Sequence, residues 1–149
     1  MTVEEFKVQC ALGTLDFGII LEFADSKRTS KKLLKVLSKN KNWVVRIRVA
    51  RNISTPVDIL RELSKDKIIG IRYAIANNPN TPPDILSELS KDKIIDIRCS
   101  ISRNMNTPKE VLKKLSKDKN YYVRKDVANN RNTPIEIVQQ MKHEGSYGL

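Results

Sequence analysis

From Leu37 to Val138 the apolar residues fall into five columns, each filled in four copies at intervals of 26 residues. Within one copy the pattern has two parts. Ile85, Leu86 and Leu89 stand at offsets of one and four residues, which makes one apolar stripe on a short helix from about Pro82 to Lys91. Ile97 and Ile101, four apart, give a second helical stretch that begins at Asp92 and ends at Asn104.

Between the stripes lies a stretch whose chemistry is ambiguous when read alone. "NNPNTPPDIL", residues 77–86, gathers amides, prolines and a carboxylate, as a binding pocket would. It recurs, however, as "RNMNTPKEVL" and "NNRNTPIEIV", so it reads as the joint between helices. Thr55, Thr81, Thr107 and Thr133 are each followed by proline, with an acid two residues further on. That arrangement predicts a threonine N-cap, proline at the first helical position and a capping-box acid. Asn52, Asn78, Asn104 and Asn130 close the preceding helix, and asparagine at such a place is expected to adopt the left-handed conformation.

No single helix pair can bury such stripes, so the units are expected to stack side by side. The predicted fold is all-α: an α-solenoid of four to five 26-residue two-helix repeats. The frame extends backwards in degenerate form, with Thr29, Leu33 and Leu34 in their columns and Ile19, Phe23 and Ala24 matching a preceding helix. Residues 1–28 then form an acidic N-terminal cap with a degenerate half-repeat, 29–142 the solenoid and 143–149 a C-terminal tail, in one domain.

The spacing Leu63, Asp66, Ile71-Arg72, Ile75-Ala76, Asn78-Pro79, Thr81-Pro82, Asp84-Ile85-Leu86, Leu89 resembles the leucine-rich repeat variant family, whose units read approximately "LAxDxxxxVRxxVAxNPxTPxxxLxxL". The resemblance covers residues 29–142 and holds at fixed offsets in four consecutive units. It implies a right-handed superhelix of paired short helices, one α and the second often 3-10, akin to HEAT and armadillo arrays. It implies no single activity. Some family members carry a cysteine-rich iron–sulfur segment, but Cys10 is the one N-terminal cysteine here, so that feature is not expected.

Charge changes the picture next. Residues 1–25 hold one lysine against five acids, a net of −4, which leaves +15 on the remainder. A basic body points to an anionic partner, although lysine-rich composition also arises from heat adaptation or biased genomes. Two cysteines, Cys10 and Cys99, and one histidine, His143, predict neither a disulfide framework nor a metal site, and no cofactor is expected. The acidic N-terminus and the short apolar runs predict neither a secretory signal nor a membrane span, so the expected location is cytoplasmic.

Columns that repeat are expected to serve stacking, and columns that vary to serve recognition. Arg46, Arg72, Arg98 and Arg124 are constant and are expected to form a ladder with Asn40, Asp66, Asp92 and Asp118. Two further constant columns are lysine: Lys39, Lys65, Lys91 and Lys117, then Lys41, Lys67, Lys93 and Lys119. Stacked about 8–10 Å apart, they would make positive rows able to follow a polyanion, while a lysine at a helix C-terminus also suits the macrodipole without any ligand. The variable columns lie on the second helix and offer Trp43, Arg51, Tyr73, Arg103, Tyr121 and Tyr122 as a partner-binding surface, in the residue types of binding anchors. The competing expectation is that the aromatics fill core edges.

No nucleophile–base pair or phosphate loop is present. The primary expectation is a non-enzymatic scaffold that binds a protein or peptide along one face. The alternative is a nucleic-acid binder working through the lysine rows, and a remote one is a helical-repeat DNA glycosylase-like enzyme using Trp43 with Asp96 or Asp126.

Overall fold

The computed structural model of the chain describes residues 1–145, so part of the predicted tail, residues 146–149, lies outside the described residues. The described chain is all-α, a helical-repeat fold of eleven helices: α1 (Val3–Leu12), α2 (Phe17–Asp25), α3 (Lys31–Leu37), α4 (Trp43–Arg51), α5 (Val57–Leu63), α6 (Ile69–Asn77), α7 (Pro83–Leu89), α8 (Ile95–Arg103), α9 (Lys109–Leu115), α10 (Tyr121–Asn129) and α11 (Ile135–His143). Even-numbered helices from α2 to α10 each have nine residues and begin 26 residues apart; α3, α5, α7 and α9 each have seven. The chain divides into two compact units, residues 1–74 and 75–149.

In the first unit, Leu33, Leu34 and Leu37 of α3 and Ile59, Leu60 and Leu63 of α5 are buried together with Val45 and Val49 of α4. Phe6 of α1 is buried and meets Phe23 of α2 edge to face, with ring centroids 5.8 Å apart. In the second unit the same columns are filled by Ile85, Leu86 and Leu89, by Val111, Leu112 and Leu115, and by Ile97, Ile101, Val123 and Val127. The apolar columns are thus buried as predicted except at their last copy, where Ile137 and Val138 of α11 are half-buried, because a seven-residue helix turns one such stripe inward and α11 is the last described helix.

The joints differ from expectation in three respects. First, the second helix of each repeat is a full α-helix, not 3-10, and it starts later than predicted: α8 begins at Ile95 because Asp92 spends its carboxylate on the Ile94 amide, at 3.0 Å, in a turn ahead of the helix. Second, threonine does not cap the next helix. The N-cap positions of α5, α7, α9 and α11 are Pro56, Pro82, Pro108 and Pro134, without a side-chain cap. The threonine hydroxyl instead reaches back six residues, Thr81 donating to the Ile75 carbonyl at 2.7 Å and Thr107 to Ile101 at 2.6 Å. Thr29, Thr55 and Thr133 do the same to Phe23, Val49 and Val127. A carbonyl left over at a helix end takes the hydroxyl, and that burial forbids a forward cap.

Third, no described non-glycine residue has positive φ, so asparagine is not left-handed here. Asn104 has φ −69° and ψ 129°, extended backbone at the end of α8. Its amide works between repeats: Nδ2 donates to the Ala76 carbonyl at 2.9 Å and to Asn78 at 3.4 Å, while Oδ1 accepts from the Asn106 amide at 2.9 Å. Asn52 repeats this in the first unit, donating to Ala24 and Ser26, and Asn130 in the second, donating to Ser102 and Asn104. An amide that both donates and accepts can bind three backbone groups at once, which neither serine nor aspartate matches.

Candidate functional site

The site columns are held by the turn between the two helices of a repeat. Asp66 and Asp118 each accept a backbone amide two residues on, Ile68 at 2.9 Å and Asn120 at 2.8 Å, which sets the turn. Each also receives an arginine from the preceding repeat. Arg46 reaches Asp66 at 2.7 and 3.3 Å, and Arg98 reaches Asp118 at 2.7 and 3.1 Å. Burial raises the carboxyl pKa at both sites, but the arginine and the backbone amide outweigh it, so Asp66 and Asp118 lie below the usual carboxylate range. The remaining guanidinium nitrogen donates to turn carbonyls in its own repeat: Arg46 to Asn40 and Lys41, Arg72 to Asp66 and Lys67, Arg98 to Asp92 and Lys93, and Arg124 to Asp118 and Lys119.

This ladder fixes where the lysines stand. Lys39, Lys65, Lys91 and Lys117 follow the ends of the seven-residue helices, and Lys41, Lys67, Lys93 and Lys119 stand two residues ahead of the nine-residue ones. All eight are exposed, and none forms an ion pair with another described residue. Only the first column benefits from a helix C-terminus. The second sits before helix N-termini, where a cation is opposed by the macrodipole, although Lys67 and Lys119 also favour the ionised carboxylates of Asp66 and Asp118.

Beside the second lysine column runs an exposed apolar one. Phe17, Trp43 and Ile69 in the first unit, and Ile95 and Tyr121 in the second, open their nine-residue helices and are each between 38% and 51% exposed. Tyr122 is 66% exposed and meets Tyr121 edge to face at 5.5 Å. Tyr73 is also exposed. Trp43, Tyr73 and Tyr121 are thus partly covered and partly exposed, and Tyr122 is the most exposed of the four. Phe17 escaped the sequence reading because it precedes the clear repeats; its signal was its place 26 residues before Trp43.

The aromatic and arginine candidates do not form one cluster. Arg51 and Arg103 end α4 and α8, a helix length of about 12 Å from the residues that open them. At that far end a second set of contacts joins consecutive repeats, with changing chemistry. Asp25 pairs with Arg48, Asn77 donates to the Ser100 hydroxyl at 2.9 Å, and Arg103 lies 3.6 Å from Asp126. In another variable column, Gly70 serves packing: a Cβ there would stand 3.3 Å from Ile47 Cδ1. Cys99, also in a variable column, is buried, and burial followed by the Asp126 carboxylate pushes its thiol up to about 11.

No group of three or more His, Cys, Asp or Glu side chains able to hold a metal ion occurs among the described residues, and no described helix is long and apolar enough to cross a membrane. Comparison with known protein families, curated proteins and solved structures finds no match for the chain.

Proposed function

We propose that the chain is a non-enzymatic repeat scaffold that binds a protein or peptide partner at the edge where the nine-residue helices begin. The observation that carries this reading is made within each unit: exposed apolar residues open the nine-residue helices two residues after an exposed lysine, Trp43 and Ile69 in the first unit and Ile95 and Tyr121 in the second, with Phe17 at the same place in α2. Large apolar side chains repeated at one exposed position are a binding surface by chemistry, since each would favour burial against a partner. The neighbouring ammonium groups select a partner with carboxylates. Two of the five apolar residues are isoleucine, which suits aliphatic side chains of a protein better than the flat faces of bases. The likeness to the leucine-rich repeat variant motif agrees with a scaffold role and does not narrow it.

Trp43 is the single tryptophan and half exposed, so it reports on its own site. Acidic peptides carrying leucine or isoleucine should shift its fluorescence to the blue at 0.15 M salt. The shift should vanish with Ile69→Ser and weaken with Lys65→Glu plus Lys67→Glu. Absence of any shift across a broad acidic peptide set would remove the reading.

A second reading, nucleic-acid binding, is favoured by one observation: eight exposed lysines with no ion pair to another described residue, four of them where the helix dipole disfavours them. Binding of a single-stranded oligonucleotide should then weaken steeply with salt, by about 0.7 log units of affinity per log unit of salt for each phosphate engaged. Lys65→Glu, Lys91→Glu and Lys117→Glu together should abolish it. No binding at low salt sinks this reading.

A further inference from the structure

Two clefts in the second unit occupy equivalent places one repeat apart. The first, about 340 Å³, is lined by Asn77, Pro79, Ser100, Arg103 and Met105 among others; the second, about 360 Å³, by Arg103, Met105, Asp126, Asn129 and Arg131. Adding 26 to the first set yields the second, residue for residue. Arg103 and Met105 line both clefts and so stand between them. They lie by the C-terminal ends of α8 and α10, away from the lysine edge.

From this geometry we infer that the tandem clefts bind an extended acidic peptide whose carboxylate side chains, three residues apart, enter successive clefts. Each cleft is at the small end of ligand pockets and suits one or two side chains rather than a whole small molecule. Their separation is one repeat, about 8–10 Å, and an extended polyproline-II chain advances about 3.1 Å per residue, so every third side chain falls in step. The charge is cationic and modest. Arg103 is the one charged residue of the first cleft, while the second adds Arg131 against Asp126. The thioether of Met105 and the exposed Asn129 amide suit the apolar stem of a glutamate side chain and a peptide backbone.

The contact between Arg103 and Asp126 sharpens the assignment. At 3.6 Å, with the arginine side chain 56% exposed, it is a weak pair from which Arg103 is readily taken by a ligand carboxylate. Asp126 then acts as a competitor for the site, and its removal should tighten binding.

This inference rests on the reading of the chain as a peptide-binding scaffold, but it places the peptide elsewhere than the lysine edge. The test uses the full chain and a fluorescein-labelled peptide of Glu-Ala-Pro repeats, with a Gln-Ala-Pro control, by anisotropy at 0.15 M salt. The glutamate peptide should bind and the glutamine peptide should be at least about tenfold weaker, the loss expected for a charge-assisted hydrogen bond. Arg103→Gln should weaken the glutamate peptide by a similar factor and Asp126→Asn should tighten it, while Lys91→Gln with Lys93→Gln reports whether the lysine edge takes the peptide instead. Circular dichroism confirms that each variant folds. Loss of binding in the lysine variant rather than in Arg103→Gln overturns the inference and leaves the lysine-edge reading standing, and absence of binding to the wild-type chain also overturns it, while the Trp43 titration reports separately on that edge.

Discussion

Arg98 grips Asp118 of the following repeat with two nitrogens, Nε to Oδ2 at 2.7 Å and Nη2 to Oδ1 at 3.1 Å, while its third nitrogen holds the Asp92 carbonyl of its own repeat at 2.8 Å. One guanidinium thus fastens the turn it belongs to and the repeat that follows. Arg98 is buried, and its planar fork matches the carboxylate in a way a lysine could not.

Asp118→Asn should cost roughly 2–3 kcal/mol at pH 7, because a buried cation loses its partner. The carboxyl pKa is lowered in the folded chain, so this stability is present above the unfolded value near 4 and is lost as pH falls through the folded one. Thermal melts should therefore show the gap between wild type and variant narrowing as pH falls below about 4. A gap as wide at pH 2.5 as at pH 7 would refute the account.

Asn130→Ala should destabilise by about 1–3 kcal/mol, since the carbonyls of Ser102 and Asn104 lose their amide donor. Its exposed neighbour offers the control: Asn129→Ala should stay within about 0.5 kcal/mol. Urea unfolding of both variants decides, and equal effects would mean that the inter-repeat amide contributes nothing.

For the threonine column, Thr107→Val preserves shape and removes the hydroxyl that donates to Ile101. A loss of about 1–2 kcal/mol is expected. Thr107→Ser should retain most of that bond. Were the residue a forward cap, amide exchange would quicken at the start of α9; the expected change is at the end of α8.

Cys99 should resist alkylation in the folded chain at pH 8, where its thiol, raised to about 11, is overwhelmingly protonated. Cys10, half-buried, should react first, as peptide mass mapping of iodoacetamide adducts would show. Asp126→Asn should speed Cys99 by removing one cause of the shift, though burial remains the larger one.

Lys93→Gln probes whether its column is structural. Standing before the N-terminus of α8, Lys93 opposes the helix dipole, so neutralising it should leave stability unchanged or raise it by about 0.3–1 kcal/mol. A clear loss of stability in chemical denaturation would assign the column to folding instead of binding.

Much of the fold was legible in the residues themselves. Columns such as Leu37, Leu63, Leu89 and Leu115 are buried as their period demands, and the repeat length follows from Thr-Pro pairs alone. Hydrophobic period and helix length depend on the chain's own local geometry, which is why a sequence determines them. The roles of Thr107 and Asn104 depend on which carbonyl lies within reach, six residues back or 26 to 28 residues away in the preceding repeat, and only packing settles that. The same holds for Trp43 and Tyr121, whose type fits a core edge as well as a surface, and for Arg103, which faces Asp126 only once α8 and α10 lie side by side. Local propensity set the helices and their buried stripes; tertiary stacking decided each polar partner and each exposed aromatic, because those contacts join residues that the chain itself keeps apart.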